Sequence, residues 1–182
     1  LFASPRLDNL ASVHAGVTAI SAATDPGAVT VLACFDHEEV GSTSATGASG
    51  PLLESVLARV GEALGWSLEE AAAARARSLL VSADAGHVVH PNYPQLHDPD
   101  HLPLPNAGPL IKFNANQRYA TDAVGTAIWL RACADAGVAS QPFVSNNAVP
   151  CGSTIGPITA TRLPVAGARA KGCGIRMAWS VA

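Results

Sequence analysis

The sequence predicts an α/β protein: a three-layer sandwich with helices on both sides of a mixed, mostly parallel central sheet. Two apolar runs, Val29 to Phe35 and SLLVSAD, are continuous rather than alternating, as strands buried on both faces are. Segments with apolar residues at helical spacing lie between and around them, so strands and helices alternate along the chain. The composition supports a core, with 48% hydrophobic and 5% aromatic residues among 182. A chain of this length buries roughly 70% of the surface its unfolded form exposes, and Ala, Val, Leu and Ile do most of that work.

Residues 8–24 carry Leu10, Val13, Val17 and Ile20 at helical spacing, with Asp8 near the helix start. The run from Val29 to Phe35 then forms a strand that delivers Asp36 to Glu39 at its carboxyl end. GSTSATGASGP (41–51) is a Gly/Ser/Thr loop of the flexible or assembly kind, and LLESVLARVGEAL continues as an amphipathic helix. Residues 67–77 form the next helix, with Ser67 as N-cap and Glu70 at the capping-box position. SLLVSAD is a second buried strand, ending at Asp84. From His87 to Asn106, Pro, His, Asp and Asn dominate, which indicates an ordered loop of functional length. LIKFN (110–114) reads as a strand, residues 122–137 as a helix closed by Gly137, and PFVSN (142–146) as a short strand. A Gly-containing turn and a short helix through Arg162 follow. The last twenty residues show neither a period of two nor one of 3.6 and receive no element.

Charge and cysteine usage exclude several classes. The net charge is −3 and no basic cluster occurs, which argues against a nucleic-acid surface. No uncharged apolar run is long enough to cross a bilayer, and LFASPRLDNL lacks the layout of a signal peptide. Cys34, Cys133, Cys151 and Cys173 are widely spaced, as reduced cytosolic thiols rather than a zinc-thiolate site. GSTSATGASG lacks the Lys-Ser/Thr of a phosphate loop, and GSTIG is not a nucleophile elbow. His14 reads as a packing residue of the first helix, and His37 is open between facing the acids and pointing away. His90, His97 and His101 read as solvated or structural loop histidines, with substitution for missing metal ligands the lesser alternative.

The acids carry the chemistry. Asp and Glu number only 14, yet Asp8, the pair Glu38 and Glu39, and Asp84 each stand where an apolar stretch begins or ends. In α/β sheets ligands collect at the carboxyl ends of strands, where Glu38, Glu39 and Asp84 fall. A turn just after a strand lets two neighbouring acids reach one site, one as a metal ligand and the other as a general base. Carboxylates from several strand ends could hold two divalent ions about 3.5–4 Å apart. Spacing alone leaves both readings open: such a site, or a set of caps and surface acids.

Five motifs in order, SPRLDNL, FDHEEVGS, SADAGHVVHPNY, GPLIKFNANQRYATD and PCGSTIGPITATRL, resemble the aspartyl aminopeptidases of the M18 metallopeptidase family. The resemblance covers residues 4–163. It implies a zinc-aminopeptidase-like fold, incomplete at both ends, with residues 1–163 a partial catalytic domain and 164–182 a divergent tail. It also implies a cytosolic enzyme with two divalent metal ions, usually zinc, that removes N-terminal Asp or Glu from peptides and assembles as a large tetrahedral oligomer. Asp8 would be the bridging metal ligand, Glu39 and Asp84 further ligands, and Glu38 the general base. Lys112 would pair with the acidic side chain of the substrate, Tyr119 would hydrogen-bond the tetrahedral intermediate, and His87 would be a further pocket residue. The two ligand histidines of the family have no counterparts: one lies in a segment before residue 1, and Met177-Ala178-Trp179 stands where the family has Met-His-Ser. Ser145-Asn146-Asn147 likewise replaces the usual Arg-Asn-Asp. A carboxylate-only set suits magnesium, manganese or calcium better than zinc, so weak zinc binding and low turnover are expected of this chain alone. A catalytically silent, oligomer-forming scaffold fragment is the alternative, and a second rival is another di-metal amidohydrolase of neutral specificity, which would not need a cation at Lys112.

Overall fold

The structure, a computed structural model, describes residues 3–116, 118–144, 146, 148–149, 155–162 and 174–181. Two compact units make up the chain: Leu1–Ala85 with Thr154–Ala182, and Gly86–Ser153.

The first unit holds α1 (Leu7–Ser21), β1 (Ala28–Phe35), α2 (Leu52–Ala63), α3 (Leu68–Ala76), β2 (Leu79–Ser82) and, late in the chain, a short helix (Ile155–Arg162) and a strand (Gly174–Val181). That strand is the centre of a three-stranded sheet and pairs in parallel with both β1 and β2. It falls within the stretch to which the residue pattern assigned no element. A strand flanked on both sides is set by backbone pairing, which needs no side-chain period.

Along β1, Val29, Val31, Ala33 and Phe35 face one way and meet Leu53 and Leu57 of α2, Ala48, and Ile155 and Ile158 of the late helix. Leu32 points the other way, toward α1: a Cβ added at Gly16 would stand 2.6 Å from its Cδ1. Helices thus cover both faces of this sheet. Full burial of Leu57 or Ile155 contributes about 1.5–3 kcal/mol each. β1 was expected to be buried, but most of it is half-buried and Cys34 is exposed. The capping box of α3 forms as expected, with Glu70 N donating to the Ser67 hydroxyl and Ser67 N to the Glu70 carboxylate. The hydrogen bonds from the Ser67 backbone N–H and then its hydroxyl hold the Glu70 carboxyl below its ordinary range.

The second unit contains β3 (Leu110–Phe113), α4 (Ala123–Asp135) and β4 (Gln141–Val144), the two strands forming a parallel pair. Asp122 caps α4 by accepting from Gly125 N at 2.6 Å, and Gly137 closes it at φ 65°. The expected long loop is ordered. Gln141 clamps it, accepting from Leu104 N and donating to the carbonyls of Leu104 and Gly108. Asp98 N also donates to Val144 O, and Val89 N to Pro103 O. Among the described residues no helix is long and apolar enough to cross a membrane.

Candidate functional site

In the first unit the acids lie at the ends of regular elements. Immediately after β1 the chain enters a 3-10 turn, Glu38–Val40, between His37 at φ 65° and Gly41 at φ 101°. Ser42 N donates to His37 O at 2.7 Å and Gly41 N to Glu38 O at 2.8 Å, so both glutamates leave one tight turn. Glu38 is half-buried and Glu39 exposed. His37, left open by the residue pattern, lies 2.7 Å from the Ser44 hydroxyl through its Nδ1. The Gly/Ser loop is closely packed: a Cβ at Gly47 would strike the Ser42 carbonyl, and one at Gly50 the carbonyls of Ser44 and Ala45.

Asp84 follows β2 and is half-buried. Because β1 and β2 run parallel to the same central strand, with Phe35 level with Val181 and Ser82 level with Trp179, their carboxyl ends open on one edge. Asp8, exposed in the first turn of α1, and Asn9 depart from helical φ and ψ. Asn9 is 2% exposed, and its Nδ2 donates to Ala83 O at 2.9 Å. That bond ties the residue after Asp8 to the residue before Asp84. Sequence reasoning missed Asn9; its only signal was a polar residue inside SPRLDNL, beside the acid.

The second unit gathers Lys112, Tyr119 and His87 around Phe143, which is 0% exposed. The ring centroid of Phe143 is 5.5 Å from that of His87, 5.3 Å from that of His97 and 6.3 Å from that of Tyr119, all in edge-on arrangements. Lys112 Nζ stands 5.7 Å from the Phe143 centroid and 5.6 Å from the Tyr119 centroid. Tyr119 is buried, and the loop leading to it is shaped by Asn114 Oδ1, which accepts from Asn116 N and Arg118 N.

Of the two expectations for His97, solvated or structural, the second fits. It is 5% exposed, and among the described residues its Nδ1 has no hydrogen-bond partner. Burial first, and the neighbouring His87 second, push its pKa below the ordinary value of 6.5, so the ring is neutral at pH 7. A cavity of about 450 Å³ opens at the carboxyl ends of β3 and β4, lined by His97, Asp98, Phe113, Thr121, Val144 and Asn146 among others. In the first unit, partial desolvation raises the pKa of Cys34, although its side chain remains exposed.

Zinc fits these residues poorly. Among the described residues no group of three or more His, Cys, Asp and Glu could hold a metal ion. The acids of the first unit are carboxylates alone, a donor set softer metals do not prefer.

Comparison with known proteins places this arrangement. The family described as Aminopeptidase I zinc metalloprotease (M18) matches residues 1–174. The chain is 54% identical over 166 residues to a probable M18 family aminopeptidase 2 of Streptomyces coelicolor, an alignment covering 89% of this chain and 38% of the relative. Among solved structures, the Ape4 and Nbr1 complex matches with a TM-score of 0.77 at 35% identity, over 89% of this chain and 32% of that one. The S. cerevesiae mApe1 dodecamer matches with a TM-score of 0.66 at 28% identity, over 89% of this chain and 37% of that one. The chain therefore spans between 32% and 38% of the length of these proteins. With the family profile covering nearly all of it, the chain belongs to the M18 zinc metalloproteases.

Proposed function

We propose that this chain carries part of the active site of an aminopeptidase that removes N-terminal Asp or Glu from peptides. The observation that carries the reading is the bond from Asn9 Nδ2 to Ala83 O, flanked by Asp8 and Asp84, on a sheet that also brings Glu38 and Glu39 to its carboxyl edge. Glu38 takes the proton from the attacking water, as a half-buried carboxylate in a fixed turn can. Asp8, Glu39 and Asp84 would contribute carboxylates toward divalent metal ions that polarise the substrate carbonyl, and donors beyond these three would be needed before zinc was held. Lys112 receives the acidic side chain of the substrate, Tyr119 donates to the oxygen that becomes negative during attack, and His87 is a further pocket residue. The match to the mApe1 dodecamer supports a homo-oligomer, and a cytosolic location is part of the same proposal.

A second reading is favoured by the lack of any three-donor group among the described residues: a silent scaffold fragment that assembles without turnover. One experiment separates the two. The chain is dialysed against zinc, its metal content is measured, and hydrolysis of aspartyl and leucyl p-nitroanilides is followed. Retained zinc with aspartyl-selective hydrolysis, lost in Glu38→Gln, supports the peptidase. Full activity in Glu38→Gln removes the assigned base. No zinc and no hydrolysis from an assembled oligomer supports the scaffold.

A further inference from the structure

Phe143 has no chemistry of its own, yet it is fully buried and stands at the centre of the second unit's polar groups. The β3–β4 register places Lys112 directly beside Phe143, so both side chains leave the same face of the strand pair. The Lys112 ammonium then lies 5.7 Å from the Phe143 ring centroid and 5.6 Å from that of Tyr119. A cation within about 6 Å of an aromatic centroid is drawn to the ring by its quadrupole, most strongly where water is excluded. A lysine stem has four rotatable bonds, so its charged end ranges over several ångströms unless something selects one position. Two aromatic rings are among the groups that do so here, and the more deeply buried of the two is Phe143.

We propose that Phe143 is a positioning residue for acid recognition: its ring fixes the Lys112 ammonium where the carboxylate of an acidic ligand is met. The inference rests on the reading of Lys112 as the partner of the substrate's acidic side chain. It adds the element that sets where that charge stands. Shape alone would be served by any side chain of equal volume, whereas a quadrupole is served only by an electron-rich ring.

Fluorinated phenylalanines distinguish the two, because successive fluorines drain the ring face with little change in volume. Mono-, tri- and pentafluorophenylalanine are placed at position 143 of the full chain, and two quantities are read by NMR. One is the ring-current displacement of the Lys112 ε-methylene signal, measurable in the unsubstituted protein without any variant. The other is the affinity for L-aspartate against L-leucine. The expected result is a displaced Lys112 signal that relaxes stepwise with fluorination, and a stepwise loss of about three- to thirtyfold in aspartate affinity with leucine binding unchanged. An undisplaced Lys112 signal in the unsubstituted protein overturns the proposal at once. If Lys112→Ala abolishes an aspartate preference that the fluorine series leaves intact, Lys112 keeps its role and Phe143 loses the one proposed. If the unsubstituted protein shows no preference for aspartate, the reading of Lys112 fails and the proposal with it. Phe143→Tyr, which keeps an electron-rich ring, is expected to retain the Lys112 displacement and most of the preference; losing both while the variant stays folded overturns the proposal.

Discussion

The two units place their polar groups by different means. In the first, Glu38 and Glu39 follow β1 and Asp84 follows β2, while Asp8 stands at the non-helical start of α1, tied through Asn9 to the segment after β2. In the second, only Lys112 lies on a strand; His87, His97 and Tyr119 come from connecting segments and meet the ring of Phe143. The first unit's core is mainly aliphatic, Leu53, Leu57 and Ile155 against the sheet, whereas the second gathers rings around one buried side chain. Acids at strand ends move only if backbone pairing fails. Groups packed around a single ring depend on that ring. Apart from the Asn9 tie, the first arrangement is expected to resist single substitutions better than the second.

Several measurements can break that contrast. The largest effect is expected from deleting residues 174–182, which removes the strand between β1 and β2. Loss of hydrogen-exchange protection in both neighbours is the expected outcome; retained protection would show that β1 and β2 hold without it. Next, Phe143→Ala should destabilise by about 3–5 kcal/mol and Ile155→Ala by about 2–5 kcal/mol in urea titrations. The two truncations should differ in their reach: Phe143→Ala should also shift the His87 and Tyr119 ring signals, while Ile155→Ala should leave the Glu38 and Asp84 carboxyl signals in place. Asn9→Ala deletes the buried donor to Ala83 O and should cost about 1–3 kcal/mol, with the change concentrated near Asp8 and Asp84.

The smallest effect is a pH dependence confined to the second unit. The His97 pKa is depressed on folding, so the unfolded chain binds its proton more readily. The stability tied to its neutral form is complete above 6.5 and is lost as pH falls through the lower folded value. The titratable group packed against His97 is His87, with ring centroids 5.3 Å apart. His97→Phe should flatten unfolding midpoints between pH 7.5 and 5.5; an unchanged slope would assign the dependence to another group.

Local chemistry was readable where it is self-contained. Ser67 with Glu70 three residues on announced a helix start, Asp122 and Gly137 bracket α4, and the apolar run before Asp36 announced a strand with acids beyond it. These features depend on backbone groups a few residues apart, and such signals survive in any linear reading. The motifs around Asp8, Glu38, Asp84 and Lys112 likewise pointed to the family.

What the chain's order could not reveal are the long-range choices. The strand at 174–181 takes its place because β1 and β2 each offer an open row of backbone donors and acceptors, which no side-chain pattern records. Asn9 reaches Ala83 across 74 positions, and His97, one histidine among several in a polar loop, becomes buried because Phe143 and His87 stack against it. Residue types and their local spacing determined the elements and the family. Burial, pairing and ring packing, which exist only once distant segments meet, decided which neutral or apolar residues hold the charged ones in place.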